Sequence, residues 1–137
     1  MIRRITCCVG LAMLLVSCSY HYDLKVVAQN DQILIEPAGK QGNGCLSILT
    51  VEGPDHEIMW GLNSNTYRYG QDPCKSSFPV TYGVAPPGLP ERSPPMPLKE
   101  GVTYTVYAWD GDSYDGAFRL RRGIVVDNVP IPPDALD

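Results

Sequence analysis

The stretch 102–126, VTYTVYAWDGDSYDGAFRLRRGIVV, decides the fold class. Its ends, 102–109 and 117–126, are rich in β-branched and aromatic residues, and apolar side chains alternate with polar ones along much of each. This period of two is typical of strands with one buried face, and the Asp and Gly residues of 110–116 are typical of a turn. We therefore predict a β-hairpin with its loop at 110–116. Strict alternation would turn Arg122 inward, so a bulge is expected there.

Five more segments that resemble strands precede this hairpin. Each is short, rich in apolar or β-branched residues and bounded by turn-forming residues. They are residues 24–29, 32–36, 45–52, 57–62 and 78–84. The segment 84–97 contains six prolines and is expected to be an extended surface connection, because proline offers no amide to a strand ladder. No segment has a helical pattern, so we predict an all-β fold, a seven-stranded antiparallel β-sandwich.

A tyrosine motif precedes the second-to-last predicted strand. Leu98, Gly101 and Tyr104 follow one another at intervals of three. This spacing resembles the tyrosine corner of immunoglobulin-like and fibronectin type III domains, in which the tyrosine hydroxyl bonds back to the upstream backbone. Trp60 resembles the core tryptophan of the same domains. The resemblance implies an immunoglobulin-like or fibronectin III-like sandwich over residues 24–127, and a transthyretin-like sandwich is the alternative.

The charge balance of the chain is acidic. With 11 basic and 15 acidic residues among 137, the net charge is −4. It becomes −6 when Arg3 and Arg4, in the N-terminal segment, are removed. Proteins that bind nucleic acids present basic patches, so this composition argues against a nucleic-acid partner.

The first 18 residues have the organisation of an export signal. Arg3 and Arg4 precede an apolar run at 5–16, and its 12 residues are too few for a bilayer-spanning helix, which needs about 20. The residues Leu15-Val16-Ser17-Cys18 resemble the lipobox of bacterial lipoproteins. This resemblance implies that Cys18 carries fatty acyl chains, and Ser19 after it implies sorting to the outer membrane. An ordinary secretory signal cleaved nearby is the alternative.

These observations divide the chain into four parts. Residues 1–17 are the signal peptide, 18–23 the lipidated cysteine with a short tether, 24–127 the β-sandwich and 128–137 a proline-rich acidic tail. A tether of this length keeps the domain close to the membrane surface, because an extended chain covers only about 3.5 Å per residue.

Two cysteines, Cys45 and Cys74, lie in the predicted domain. The exported compartment is oxidising, so we expect a disulfide between them. Two free thiols are the alternative. A zinc site is not expected, because two cysteines and two histidines at these scattered spacings match no zinc pattern.

The predicted hairpin offers a candidate binding face. Regular pairing across a 110–116 loop places Tyr107 opposite Arg119, with Trp109 and Arg121 on the same outward side. Tyr, Trp and Arg are the residue types favoured at binding hot spots, so these four are the predicted partner-binding residues. The alternative is intramolecular, with Arg119 stacked on Tyr107 and shielding the sheet.

The sequence carries no motif for catalysis or for a cofactor. It lacks Gly-x-Ser-x-Gly, His-Glu-x-x-His and a phosphate-binding glycine loop, so we expect a non-enzymatic protein without a cofactor. Asp110, Asp112 and Asp115 in the acidic turn are candidate ligands for a hard cation. The favoured interpretation is a solvated hairpin tip whose Asp and Gly residues serve the turn, so no metal site is predicted.

The overall layout resembles the small periplasmic immunity lipoproteins of contact-dependent toxin systems. The resemblance rests on Cys18, Cys45, Cys74, Gly101, Tyr104 and Val106. It implies a lipid-anchored protein that occludes a toxin, and an acidic surface would speed its encounter with a basic toxin. The alternative is a structural or assembly accessory lipoprotein of an outer-membrane or secretion complex. A cation-binding or ligand-binding module that uses the 110–116 turn is a third hypothesis.

Overall fold

The structure is a computed structural model, and the part of the chain that it describes contains nine β-strands. That part comprises residues 21–39, 44–64 and 76–136. The strands are β1 (His21–Gln29), β2 (Gln32–Pro37), β3 (Ile48–Glu52), β4 (Ile58–Asn63), β5 (Val80–Thr81), β6 (Glu91–Ser93), β7 (Tyr104–Trp109), β8 (Ser113–Arg121) and β9 (Val125–Val129). The helical segments in these ranges are two 3-10 turns, Pro54–His56 and Pro133–Leu136. The prediction of an all-β fold is confirmed.

The strands form one mixed, curled sheet. Its order is β5-β2-β1-β8-β7-β3-β4-β6, and β9 pairs with β8 beyond the point where β1 leaves it. The strand pairs are antiparallel except β1 with β8, where residues 21–23 run parallel to 113–115. The described residues therefore differ from the predicted seven-stranded antiparallel arrangement in having nine strands and one parallel pairing.

One additional strand arises where a bulge was expected. Arg122 and Gly123 take positive φ angles of 50° and 83° and reverse the chain, so the segment 117–126 is divided between β8 and β9. Consecutive positive φ angles are typical of tight hairpin turns. The Gly123 amide donates a hydrogen bond to Oε1 of Glu100, at 2.6 Å. The bulge predicted at Arg122 is therefore wrong: the apolar run after it re-aims by turning back and pairing with β8.

The proline-rich connection contributes the other unexpected strand. β6 lies between Pro90 and Pro94 and pairs with the edge of β4, because its three residues retain their amides. The connection is also tied to the core by Tyr82, whose hydroxyl donates to the carbonyl oxygen of Met96 at 2.6 Å. Burial raises the pKa of Tyr82 to about 12. The connection is therefore an ordered edge of the sheet.

β1 changes partners after its third residue. Its first three residues pair with β8, and from Leu24 onward it pairs with β2. At the point of divergence a Cβ on Gly116 would lie 2.6 Å from the carbonyl oxygen of Leu24, so only glycine fits there without displacement. Asn128 of β9 joins the two strands beyond the divergence: its amide nitrogen donates to the Val26 carbonyl and its Oδ1 accepts from the Val26 amide. The sheet curls around this junction.

A single hydrophobic cluster fills the curl. It includes Ile35 of β2 and Val80 of β5 together with residues of β3, β4, β7 and β8. Trp60 and Tyr104 are buried in it, as the sequence predicts. The hydroxyl of Tyr104 accepts a hydrogen bond from the Lys99 amide at 2.7 Å, which is the backward bond expected of a tyrosine corner. The two ends of the sheet therefore share one core.

The boundaries of the folded part are wider than the sequence indicates. β1 begins at His21, so the last three residues of the predicted tether 18–23 belong to a strand. In the predicted proline-rich acidic tail 128–137, Asn128 and Val129 belong to β9 and Pro133–Leu136 is a 3-10 turn. The helices of the described residues do not reach the length and apolar character that crossing a bilayer requires.

Candidate functional site

The loop of the β7–β8 hairpin is shorter than predicted. Trp109 pairs with Ser113, so the turn consists of residues 110–112 and the register differs by four residues from the one expected. Asp110 explains the tight turn: its Oδ1 accepts a hydrogen bond from the Asp112 amide at 3.1 Å and its Oδ2 accepts one from the Tyr114 hydroxyl at 2.7 Å. A side-chain oxygen that caps its own turn is typical of Asp. The predicted 110–116 loop is therefore wrong.

The four predicted binding residues share one side of the hairpin but fall into two groups. The register error is an even number of residues, and side chains alternate with a period of two, so the predicted side is retained. Tyr107 lies opposite Asp115 rather than Arg119. Arg119 donates from Nε to the hydroxyl of Thr103 at 2.7 Å. The predicted stacking partner of Tyr107 thus has a different position.

Two rows of outward side chains cross four neighbouring strands, β3, β7, β8 and β1. One row consists of Thr50, Tyr107, Asp115 and Asp23, and the next consists of Ile48, Trp109, Ser113 and His21. We call the surface of these eight residues the outer face. Tyr107 is 45% exposed at its centre. The parallel β1–β8 pairing, which the sequence does not reveal, adds His21 and Asp23 to this face.

A groove of about 350 Å³ lies over part of the outer face. Its floor includes Thr50 and Tyr107, and the C-terminal segment contributes Ile131 and Ala135 to its wall. The carboxylate and imidazole groups of its lining belong to Glu52, His56 and Asp115. A second cavity of about 110 Å³ continues past Glu52 and adds Asp55 and Asp134. Neither lining, as far as the structure describes it, contains Lys or Arg, so the groove is acidic.

The turn between β3 and β4 holds a histidine at the groove. Asp55 and His56 take positive φ angles of 58° and 57°. Asn30 and Asp31 in the β1–β2 turn have similar angles, of 51° and 59°, so this conformation is that of a tight hairpin turn. His56 Nδ1 lies 3.3 Å from Oε2 of Glu52. The predicted strands 45–52 and 57–62 correctly leave a turn between them, but the sequence does not show that His56 in this turn lines the groove.

A histidine and two carboxylates meet at the β1 end of the outer face. His21 Nε2 lies 2.8 Å from Oδ1 of Asp115, and His21 Nδ1 lies 3.1 Å from the Ser113 hydroxyl. Asp23 is directly opposite Asp115 in the parallel pairing. One potential ligand atom from each of His21, Asp23 and Asp115 lies within 4.8 Å of the other two.

The arginines lie at the opposite end of β8 and have partners there. Arg121 donates from Nε to Oδ2 of Asp127 at 2.9 Å and from Nη2 to Oδ1 at 3.2 Å. These hydrogen bonds hold the pKa of Asp127 below its usual range and raise the pKa of Arg121. The predicted binding residues Arg119 and Arg121 are thus held by Thr103 and Asp127, apart from the aromatic group.

The three candidate cation ligands of the acidic turn do not form one site. Asp110 is buried, and its two oxygens accept the hydrogen bonds that form the turn. Asp115 lies within β8 and contacts His21 instead. The hypothesis of a cation bound by Asp110, Asp112 and Asp115 together is therefore wrong for this geometry.

The predicted lipidation site, Cys18, and one cysteine of the predicted disulfide, Cys74, lie outside the described residues. Lipidation and the Cys45–Cys74 bridge therefore stay predictions. Ser76, two residues after Cys74, lies beside Cys45: its carbonyl oxygen accepts a hydrogen bond from the Leu46 amide at 3.0 Å and lies 3.7 Å from Cys45 Sγ.

Comparisons with known proteins add no relative. No protein-family model, no curated protein and no solved structure matches the chain. The function must therefore be argued from the outer face and the sequence.

Proposed function

We propose that this chain is a lipid-anchored protein of the bacterial cell envelope that binds a basic protein partner through the outer face and acts by contact rather than by catalysis. The observation that carries the proposal is the acidic groove, with exposed Tyr107 in its floor and Glu52 and Asp115 at its sides. A cationic side chain in this groove would meet both carboxylates and an aromatic ring, and each of these groups attracts cations.

The proposed partner is a basic toxin that the protein occludes, as an immunity protein does. An acidic surface accelerates association with a basic protein, since complementary charge raises the rate of encounter. Tyr107 is of a residue type enriched at binding hot spots, and neighbouring Trp109 is of another. Arg119 and Arg121, which have intramolecular partners, are assigned to the rim of the surface.

The anchor and the fold complete the proposal. The lipobox-like residues ending at Cys18 support attachment to the outer membrane, with the domain facing the periplasm. The position of Ser76 beside Cys45 supports a bridge to Cys74, because it holds the chain two residues beyond Cys74 against Cys45. The bond from the Lys99 amide to the Tyr104 hydroxyl and the buried Trp60 support an immunoglobulin-like arrangement.

Site-specific photo-cross-linking in living cells tests the binding surface. A photoreactive amino acid replaces Thr50 in the groove floor, and the control carries it at Val84, which is 58% exposed and not part of the groove lining. We expect a covalent adduct with one basic protein at position 50 and none at position 84. Tyr107→Ala and Asp115→Asn should each reduce the adduct at position 50.

Two outcomes would contradict the proposal. Equal adducts at positions 50 and 84 would show non-specific contact, and an adduct that neither substitution reduces would show that the groove is not the binding surface. The anchor is tested separately by mass spectrometry of the purified protein. An unmodified Cys18 with residues 1–17 still attached would contradict lipidation.

A further inference from the structure

The β1 end of the outer face places two carboxylates directly opposite each other. Asp23 and Asp115 are partners in the parallel β1–β8 pairing. Like charges at directly opposite positions of neighbouring strands destabilise a sheet. Among the described residues, Asp115 forms a salt bridge with His21, and neither Asp23 nor Asp115 forms one with a lysine or an arginine. A bound cation would offset the repulsion between the two carboxylates.

We propose that His21, Asp23 and Asp115 bind one divalent transition-metal ion, for which Zn²⁺ is the expected occupant. Each residue offers one ligand atom, and the three atoms already lie within 4.8 Å of one another, so small side-chain rotations bring them around one ion. The two strands set this spacing: His21 and Asp23 are two residues apart on β1, and Ser113 and Asp115 match them on β8. Alternation places all four side chains on one side of the sheet.

The ligand types select the metal. An imidazole nitrogen with two carboxylate oxygens suits zinc and its neighbours, whereas calcium and magnesium prefer sites made only of oxygen ligands. Three protein ligands leave at least one coordination position for water or a partner group. The Ser113 hydroxyl lies 3.1 Å from His21 Nδ1. This hydrogen bond orients the imidazole so that Nε2 is the nitrogen available to the metal ion.

The site has a structural consequence for the N-terminal end of the domain. His21 and Asp23 belong to the short part of β1 that pairs with β8 before the strand diverges. A bound ion would fasten these residues to β8 and replace the repulsion between two carboxylates with two metal–ligand bonds. We therefore expect zinc to stabilise the fold and to slow amide exchange at the start of β1 more than elsewhere.

Calorimetric zinc titration of the full chain, purified in detergent without a histidine tag, tests the site. We expect one zinc ion per chain. Asp23→Asn and Asp115→Asn should each weaken binding by about tenfold or more, since even a lost supporting group around a metal ligand costs that much. The matched control is Asp112→Asn, which removes a carboxylate from the same hairpin but not from the site. His56→Gln controls for the other described histidine.

Thermal melting provides a second measurement with a distinct signature. Without zinc, Asp23→Asn should raise the melting temperature, because the substitution removes one of two opposed charges. With zinc, the unsubstituted protein should gain stability and Asp23→Asn should gain little, since a ligand stabilises the state that binds it. A residue with only a structural role would not produce both effects.

The outcomes separate this proposal from the proposed function. Absence of zinc binding by the unsubstituted protein, or equal weakening by Asp112→Asn and Asp23→Asn, would overturn it. Loss of binding in His56→Gln with retention in Asp23→Asn would place the ion elsewhere and also overturn it. All of these measurements use the isolated protein, and Tyr107→Ala, which changes the groove but none of the three metal ligands, tests the groove separately from the metal site.

Discussion

The two ends of β8 present opposite solutions to the same electrostatic problem. At the end where β1 pairs with it, Asp115 lies opposite Asp23 and contacts His21. At the other end, Arg121 has a bidentate partner in Asp127. Both ends lie on one side of one strand. Among the described residues, they differ in whether the carboxylate has an arginine as its partner.

Both proposals start from this difference. A charge whose partner lies in the same chain is explained by the fold alone, as for Arg121 with Asp127. Within the described residues, neither Asp23 nor Asp115 forms a salt bridge with a lysine or an arginine, and the groove that Asp115 lines also contains Glu52. The arginines are of a residue type usual at binding hot spots, but they have intramolecular hydrogen-bond partners, so both proposals use the acidic end instead.

Substitution of Gly116 should break the comparison most completely. A Cβ there would lie 2.6 Å from the Leu24 carbonyl oxygen and 3.1 Å from the Leu24 Cβ, at the point where β1 leaves β8. We expect Gly116→Ala to lower the free energy of unfolding by about 3 kcal/mol, the upper part of the usual range for overpacking. Equilibrium urea denaturation measures this change.

The matched control for that prediction is Gly39→Ala. A Cβ at Gly39 would meet nothing within 4 Å, so the same chemical change should leave the unfolding free energy nearly unaltered. Similar losses in both variants would show that the close approach of β1 to β8 is not the cause. Loss of the zinc-induced stabilisation in Gly116→Ala would further connect the strand junction to the acidic end.

Asp110 should contribute more to the free energy of unfolding than Asp112, although both belong to the acidic turn of the hairpin. Asp110→Ala removes the acceptor of the buried Tyr114 hydroxyl and of the Asp112 amide. We expect a loss of about 2 kcal/mol in urea denaturation, because the partners of a removed buried acceptor keep their desolvation cost. Asp112→Ala, at the tip of the turn, is the control and should cost little. Equal losses would refute the assignment of Asp110 to the turn.

The fold class was predictable because its signals are local. Alternation and turn residues identify most strands, and the spacing of Leu98, Gly101 and Tyr104 anticipates the hydrogen bond from Lys99 to the Tyr104 hydroxyl. The register of the final hairpin was not predictable by counting, because the capping of the turn by Asp110 decides it. The Arg122-Gly123 pair carried a turn signal that strict alternation obscured.

The candidate site was only partly predictable for a different reason. Tyr107 and Trp109 lie on the predicted side, because that depends on alternation alone. His21 and Asp23 lie in the predicted tether, and the parallel pairing of residues 92 positions apart brings them beside Ser113 and Asp115. No local pattern in the sequence of either strand indicates that β1 pairs with β8. A His-x-Asp pattern at the start of a strand was the available signal.

Asn128 should have an effect of intermediate size, because it joins the two strands that share the edge of β8. Asn128→Ala removes the hydrogen bonds to both the amide and the carbonyl of Val26. We expect a loss of about 1.5 kcal/mol and faster hydrogen exchange at the Val26 amide. Asn128→Asp keeps the acceptor and should protect that amide while still losing stability. Unchanged exchange in Asn128→Ala would contradict the bridging role.

The smallest effect should come from the paired end of the comparison. Arg121 depresses the pKa of Asp127 mainly by hydrogen bonding, with a lesser contribution from the charge of Arg119. A carboxyl whose pKa is lower in the folded state stabilises the fold above its unfolded pKa, near 3.9, and this stabilisation is lost as the pH falls through the folded value. In a carboxyl NMR titration, Arg121→Gln should therefore raise the Asp127 midpoint more than Arg119→Gln does. Added salt should diminish the effect of Arg119 first, since it acts on Asp127 through charge alone at an exposed surface. The reverse order of the two variants would mean that summed charge, rather than the bidentate contact, lowers the pKa of Asp127. The contrast between a carboxylate paired with arginine at one end of β8 and two opposed carboxylates at the other would then lose its physical basis.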